Sequence, residues 1–189
     1  NGGIVRNNTN VVMEASYCET HLYGLYFPKG NTLIDNHTVV DNVEPHCFSN
    51  ELYKGMLDEN GTGVFNGKIF VRQPAQKTNA FQSNKNVLLS DTASVNTKPQ
   101  LEIFADDVKC SHGCTVGKLD EEGLFYLQSR GVPEKTAKAM LLHGFAGDIY
   151  PVNPVLTVEM IFHHPKNTQC LIFNREYLEQ KTPWKLIRH

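Results

Sequence analysis

The segment at residues 63–72, GVFNGKIFVR, determines the fold class of this 189-residue chain. It is a short run of Val, Phe and Ile interspersed with Gly and Asn, which is typical of a β-strand. Similar segments recur at 37–42 (HTVVDN), at 86–91 (NVLLSD) and from Leu101 onward. They follow one another too closely for helices to lie between them. Residues 1–117 are therefore predicted to be mainly β, as a sandwich, a barrel or a solenoid of strands.

Composition favours the solenoid, a right-handed parallel β-helix. Asn and Gly are frequent between the strands, and both accept the left-handed backbone conformations that corners require. The apolar residues would then stack inward, turn upon turn, although no exact repeat period is visible. A solenoid needs its ends covered, and the chain begins at Asn1 without a capping element. We therefore expect residues 1–117 to be only the C-terminal turns of a longer β-helix.

The pattern becomes helical at residues 118–146. LDEEGLFYLQSRG predicts a first helix with Asp120 as its N-cap and Gly131 at its end. Pro133 suits the first turn of a second helix, EKTAKAMLLHGFA. Together they predict a helical hairpin whose apolar residues include Leu119, Leu124, Phe125, Leu127, Ala137, Met140, Leu141 and Phe145.

The tail, residues 147–189, receives no assignment. Its prolines argue against a continued helix, and they stand at Pro151, Pro154, Pro165 and Pro183. The segments 155–162 (VLTVEMIF) and 170–173 (CLIF) are candidate strands within it.

Composition also excludes several classes of protein. The net charge is −2 without a basic stripe, so no nucleic-acid partner is expected. Apolar runs are too short to cross a bilayer, so no membrane span is expected. An odd number of irregularly spaced cysteines argues against a disulfide framework and for reduced thiols in the cytoplasm. The glycosylation triplets at Asn7, Asn36 and Asn60 are attributed to chance in an Asn-rich chain.

One stretch, GTGVFNGK at residues 61–68, superficially resembles a phosphate-binding loop. That motif requires Ser or Thr after its lysine. Here Ile69 follows Lys68 and the first glycine is out of register. We therefore reject the phosphate-loop interpretation.

The main candidate for chemistry is the triplet Cys110, His112 and Cys114. Alternate residues of a strand point to the same face, so two thiols and an imidazole would project together. These are soft ligands that suit zinc, copper(I) or iron–sulfur species. The alternative is that the cysteines only fill space as small buried hydrophobes. Three residues also fall short of a four-ligand tetrahedral site.

Longer motifs resemble the SufB/SufD family of iron–sulfur cluster assembly scaffolds, and its SufD members more than its SufB members. The resemblance is carried by HLYGLY at 21–26, DNHTVVDNVEPHCFSNELYKG at 35–55, GVFNGKIFVRQPAQKTNAFQSNKNVLLS at 63–90 and PQLEIFADDVKCSHGCTVGKLDEEGLFYLQSRG at 99–131. It extends over residues 1–146 and covers the C-terminal part of family members. It implies a β-helix core followed by a helical segment.

The resemblance also implies a role. The chain would be a non-catalytic scaffold subunit that pairs with a SufB-like subunit, or with itself, and with a SufC-like ABC ATPase. A transient iron–sulfur cluster would form at the subunit interface and then pass to recipient proteins. His112 and Cys110 of the KCSHG motif would serve that interface. ATPase docking would fall on residues 118–146, through Leu119, Leu124, Phe125, Leu127, Met140, Leu141 and Phe145.

Two features depart from the family pattern. Cys114 stands where a small residue such as Ala is expected, so a third metal ligand would be peculiar to this chain. The proline-containing tail does not resemble the family's helical C-terminus.

Two rival functions stay open at this stage. One is a structural zinc module that uses Cys110, His112 and Cys114. The other is a polysaccharide-acting β-helix enzyme that uses Asp106 and Asp107, since paired carboxylates can perform acid–base catalysis. Consecutive residues on a strand diverge, however, which weakens that pairing.

Overall fold

The computed structural model describes residues 3–149, 159–164 and 168–171. Eight long strands occupy most of the first 118 residues. They are β1 (Ile4–Met13), β2 (Glu19–Tyr26), β3 (Leu33–Asn42), β4 (Phe48–Leu57), β5 (Thr62–Val71), β6 (Asn79–Leu88), β7 (Ser94–Ile103) and β8 (Lys109–Lys118).

The strands form a β-solenoid of about four turns, which confirms the predicted fold class. Odd-numbered strands build one sheet in the order β1-β3-β5-β7, and even-numbered strands build the other in the order β2-β4-β6-β8. All of these neighbours are parallel. Ile4 pairs with Leu33, Leu33 with Thr62 and Thr62 with Ser94, which are steps of 29, 29 and 32 residues. This unequal step explains why the sequence shows no exact period.

The interior lies between the two sheets, and every second residue points into it. The apolar part of this core is built by side chains such as Leu22, Val40, Phe65 and Ile69, all buried. Each fully buried apolar side chain of this size contributes about 1.5–3 kcal/mol. Polar side chains share the interior, however, and the buried ones include Thr20, Asn36, Thr38, Ser49, Glu51, Gln82, Asn84 and Asn86.

Asparagines of adjacent turns stack inside the solenoid. Asn7 Nδ2 donates to Asn36 Oδ1 at 2.9 Å, and the two residues are paired in register. Asn36 is buried. Its side chain therefore serves packing between turns, which agrees with discounting these two positions as glycosylation sites.

The corners meet only in part the expectation that Asn and Gly adopt the left-handed conformation. Gly30, before β3, has a φ of +65°, but the other described corner residues with positive φ are neither Asn nor Gly. At the corner before the even-numbered strands, positive φ occurs at Tyr17, His46 and Lys77. Such a conformation costs an ordinary residue about 1–2 kcal/mol. Here each backbone N–H is bonded to the next turn, as when His46 N donates to Gln76 O at 2.9 Å. Tyr17 also stacks on His46 with ring centroids 4.7 Å apart. Stacking between turns thus replaces the usual glycine.

Two helices follow β8, as predicted: α1 (Glu121–Ser129) and α2 (Glu134–Ala146). Asp120 caps α1 by accepting from Gly123 N at 3.0 Å. Gly131 ends the first helix with a φ of +85°. Pro133 is the N-cap residue of α2, one position earlier than predicted. The hairpin therefore begins and ends at the residues that the sequence selects.

Only part of the tail lies within the described residues. β9 (Glu159–His164) and β10 (Thr168–Leu171) form an antiparallel pair, and β9 pairs with β2. These two strands overlap the candidate strands at 155–162 and 170–173. The rest of the tail beyond residue 149 lies outside the described residues. No helix in the described ranges is long and apolar enough to cross a membrane.

Candidate functional site

The triplet lies on β8, the last strand of the even-numbered sheet. Within the described residues, β8 pairs with β6 alone, and most of its side chains are exposed. Its second row of backbone N–H and C=O groups is open, and an edge strand of this kind can accept a strand from another chain. The candidate residues therefore occupy an edge that can accept a partner.

The register places the triplet on the inward-facing side of β8. Cys110 pairs with Ala80, His112 with Gln82 and Cys114 with Asn84. Those three β6 residues are buried in the interior. On β8 the same positions have no further turn above them among the described residues, so His112 and Cys114 are exposed. The interior of the solenoid thus ends at these side chains.

Spacing along the strand limits what the triplet can bind. Alternate residues of a strand are about 6.7 Å apart, so the two cysteines are separated by about 13 Å. Zinc bonds to sulfur and nitrogen are only about 2.0–2.3 Å long. Within the described ranges, no group of three or more His, Cys, Asp or Glu is placed to hold a metal ion. A metal or cluster at this edge would therefore need further ligands from a partner.

Cys110 is a free, half-buried thiol. Burial raises its pKa above the ordinary value, and a backbone hydrogen bond at Ala80 acts in the opposite direction. It is therefore protonated at neutral pH, and it becomes a nucleophile or ligand only when a cation or metal lowers its pKa. Cys114 is also a free thiol but is exposed.

A network of buried polar side chains supports the strand from beneath. Tyr26 donates its hydroxyl to Asn86 Oδ1 at 2.5 Å, and Asn86 Nδ2 donates to Asn84 Oδ1 at 2.7 Å. Burial raises the pKa of Tyr26 to about 12, so its hydroxyl stays a donor. Asn84 lies directly beneath Cys114 in the register. The floor of the site is therefore fixed by hydrogen bonds.

Two glycines make room for the rings of this floor. A Cβ added at Gly24 would lie 2.3 Å from the Tyr53 ring, and one at Gly55 would lie 2.6 Å from the Tyr26 ring. Both distances are shorter than van der Waals contact. These positions could not be identified from the sequence, because the close approach is between different turns.

Glu51 and Gln82 lie beneath His112 in the register, and neither was predicted as a site residue. Gln82 Nε2 donates to Glu51 Oε2 at 2.6 Å, and the two side chains are only 3% and 1% exposed. Burial raises the pKa of Glu51 from 4.5 to about 7, although the bond from Gln82 acts in the opposite direction. No sequence signal connects them with His112, because the step from Glu51 to Gln82 is 31 residues and the step from Gln82 to His112 is 30.

The helical hairpin carries the other predicted contact residues. Phe125 and Met140 are 72% and 51% exposed, so both are accessible to a partner. The remaining predicted contact residues are half-buried, and they are Leu119, Leu124, Leu127, Leu141 and Phe145. Tyr126, which was not among the predicted contact residues, is also exposed. The exposed large apolar side chains of the hairpin are therefore Phe125 and Tyr126 on α1 and Met140 on α2.

Lys54 fastens the end of the hairpin to the solenoid. It stands on β4, and its Nζ donates to Phe145 O and to Asp148 Oδ2, each at 2.6 Å. Its Nζ also lies 4.9 Å from the centroid of the Phe145 ring. A cation at the C-terminus of a helix is favoured by the helix dipole. Lys54 therefore couples α2 to the even-numbered sheet.

The residues of the enzyme and phosphate-loop interpretations lie away from the triplet and make other contacts. Asp107 forms an ion pair with Lys77 at a corner, and Asp106 and Asp107 are both exposed. The GTGVFNGK segment lies mostly on β5, where Lys68 pairs with Glu102 at 2.6 Å. Neither arrangement resembles a catalytic dyad or a phosphate-binding loop.

Comparison with known proteins matches this chain to one family, both by a family profile and by individual relatives. The family profile described as "SUF system FeS cluster assembly, SufBD core domain" matches residues 1–145. The iron–sulfur cluster assembly protein SufD of Escherichia coli (strain K12) is 40% identical over 148 residues, which cover 78% of this chain and 35% of that protein. A SufBD family protein of Synechocystis is 39% identical over 154 residues, 82% of this chain and 34% of that protein. SufD of Bacillus subtilis is 33% identical over 152 residues, 80% of this chain and 34% of that protein. The chain thus spans about a third of the length of these relatives.

Proposed function

The chain belongs to the SufBD core family of the SUF system for iron–sulfur cluster assembly, and from that premise we propose that it is a non-catalytic scaffold subunit. Its cargo is a nascent cluster that forms transiently where two subunits meet. The observation that carries this proposal is the open edge of β8, which presents His112 with a thiol on either side. Four described cysteines are free thiols, as a cytoplasmic scaffold requires.

In this proposal, β8 pairs with a SufB-like subunit or with a second copy of the chain. Ten residues of β8 carry an open row of backbone groups, and strand pairing across that edge supplies directional hydrogen bonds. The partner's side chains complete the ligand set, which this chain alone leaves short. His112 and Cys110 then serve as ligands from this side, and Cys114 is an additional thiol beside them.

The helical hairpin receives a SufC-like ATPase. Phe125, Tyr126 and Met140 supply exposed apolar surface, and no residue of α1 is fully buried. Large exposed apolar side chains of this kind mark interaction sites. Because Lys54 ties α2 to β4, a movement of the hairpin is passed to the sheet that carries His112.

The test is cluster assembly in a reconstituted complex. The chain is co-purified with SufB-like and SufC-like subunits, and iron–sulfur absorbance is followed during anaerobic assembly. His112→Ala is expected to keep the fold and to abolish cluster formation. Ser111→Ala is the matched control, because Ser111 neighbours His112 on the strand but points to the opposite face. A normal cluster yield from the His112→Ala complex contradicts the proposal.

Metal analysis separates this function from the zinc-module interpretation. Protein purified in air is expected to hold no stoichiometric zinc and to remain folded with a chelator. Tightly bound zinc whose removal unfolds the chain would favour the structural module instead.

A further inference from the structure

A row of inward side chains leads from a buried carboxyl group to His112. The register pairs Leu22 with Glu51, Glu51 with Gln82 and Gln82 with His112. The first three are buried, and His112 stands at the exposed end. We call Glu51, Gln82 and His112 the Glu51 row. It crosses three successive turns of the solenoid.

The Gln82 side-chain amide uses its nitrogen but not its oxygen in hydrogen bonding to the described residues. Its Nε2 donates to Glu51 Oε2 at 2.6 Å. Its Oε1 is buried and accepts no hydrogen bond from the described residues. Space for this amide is provided by the opposite sheet, because a Cβ added at Gly67 would lie 2.4 Å from Gln82 Nε2. The amide is therefore held in one place while its acceptor lacks a donor.

Such an arrangement is unfavourable if its only role is packing. A buried polar atom without a partner is destabilising, and so is a buried carboxyl group. An apolar side chain of similar volume would fill the same space without either cost. The position thus points to a donor that completes the row. The neighbouring residue in register is His112, one strand spacing or about 4.8 Å away along the sheet.

We propose that Glu51 and Gln82 are positioning residues for His112. Glu51 orients the Gln82 amide so that, when the exposed His112 ring turns inward, the Gln82 carbonyl oxygen accepts the N–H of the imidazole. A neutral imidazole has one N–H and one free nitrogen lone pair. Fixing the N–H toward Gln82 selects one tautomer and directs the other nitrogen to the open edge. This inference rests on the proposed function for the reason why His112 is oriented. The orientation itself is independent of it, since the tautomer can be measured without any cluster.

Histidines that bind metals commonly donate their second nitrogen to a carbonyl or carboxylate, which fixes the tautomer and the ring orientation. The Glu51 row supplies that acceptor from within the subunit. The ligand would then be oriented before any partner or cargo arrives, which reduces the ordering needed when the site is completed.

The test is the imidazole tautomer of His112, read from ¹⁵N shifts of the whole chain labelled at histidine. In the unmodified chain one tautomer is expected to exceed the other by about tenfold, as one hydrogen bond supports. Gln82→Met preserves side-chain volume and is expected to lower that ratio several-fold. Glu51→Gln should lower it less, because the amide keeps a weaker partner. Ser83→Ala, whose side chain lies on the opposite face of β6, should leave the ratio unchanged.

Each result decides the inference. Mixed tautomers at His112 in the unmodified chain overturn it, even if no variant folds. An unchanged ratio in folded Gln82→Met also overturns it, and Gln82→Asn serves if the methionine variant does not fold. If the tautomer responds as expected but His112→Ala still assembles clusters, the positioning stands and the scaffold role of His112 fails. If clusters require His112 but Gln82→Met leaves the tautomer ratio unchanged, the scaffold role of His112 stands and the positioning by Gln82 fails.

Discussion

Replacing Lys54 with Met should weaken the attachment of the helical hairpin to the solenoid while both remain folded. The lysine is 4% exposed and makes two charge-assisted hydrogen bonds of 2.6 Å, to Phe145 O and Asp148 Oδ2. A hydrogen bond to a charged group contributes about 1.5–3 kcal/mol. Asp148 is 60% exposed, so its share is discounted to at most about 1 kcal/mol. Methionine keeps the aliphatic packing, and the net loss is about 2 kcal/mol.

That loss corresponds to a roughly thirtyfold rise in opening of the α2 attachment, since about 1.4 kcal/mol is a factor of ten. Amide hydrogen exchange resolved to α2 and to the strands measures it directly. The amides of α2 near Ala146 should exchange faster by about that factor, while those of β3 to β6 keep their rates. Lys85→Met is the control for charge alone, because Lys85 is the register neighbour of Lys54 on β6 and makes neither bond. Its charge also helps to lower the pKa of Asp148, so Lys85→Met should speed α2 exchange much less than Lys54→Met. Unchanged exchange in α2 of Lys54→Met would refute the idea that this lysine is the anchor.

Three further predictions concern the buried acid, the packed glycines and the hairpin surface. The pKa of Glu51 is raised in the folded state to about 7, so its favourable contribution is complete at low pH and is lost as pH rises through 7. Chemical denaturation at pH 5 and pH 8 should show that the free energy of unfolding falls over that interval by about 2–3 kcal/mol less in Glu51→Gln than in the unmodified chain. An identical pH dependence of the two proteins would contradict this. Gly24→Ala should lower the free energy of unfolding by about 1–3 kcal/mol, because its Cβ would lie 2.3 Å from the Tyr53 ring. Gly113→Ala on β8, where an added Cβ meets nothing within 4 Å, is the control and should change the melting temperature little. Equal shifts in melting temperature for the two variants would show that the packing argument is wrong. Phe125→Asp, at a side chain that is 72% exposed, should leave the melting temperature unchanged and weaken co-purification of the ATPase at least tenfold, and full retention of the ATPase would remove α1 from the docking surface.

The fold class was predictable because its signals are local. Short Val, Ile and Phe segments bounded by Asn and Gly identify the strands, and Asp120 and Gly131 identify the limits of α1. The corners were not predictable in the same way, because Tyr17, His46 and Lys77 are held in left-handed conformations by hydrogen bonds to the next turn. No single-residue preference records such contacts.

The candidate site was predictable only in part. Alternation along β8 places Cys110, His112 and Cys114 on one face, and this follows from strand geometry alone. Their relation to Ala80, Gln82 and Asn84 depends on register steps that vary between 29 and 31 residues in this sheet. For the same reason Glu51 could not be connected with His112, and Lys54 could not be connected with Phe145, 91 positions later.

The most direct test is the hydrogen exchange of β8 with and without its partner. The unmodified chain is compared alone and in the co-purified assembly, and the backbone amides of residues 109–118 are followed individually. Pairing across the open edge predicts much slower hydrogen exchange at the β8 amides that point to that edge and away from β6. Exchange rates in β3, which lies within the other sheet, should be unchanged. Equal β8 exchange rates in the free chain and the assembly would contradict the proposal that His112 lies where two subunits meet.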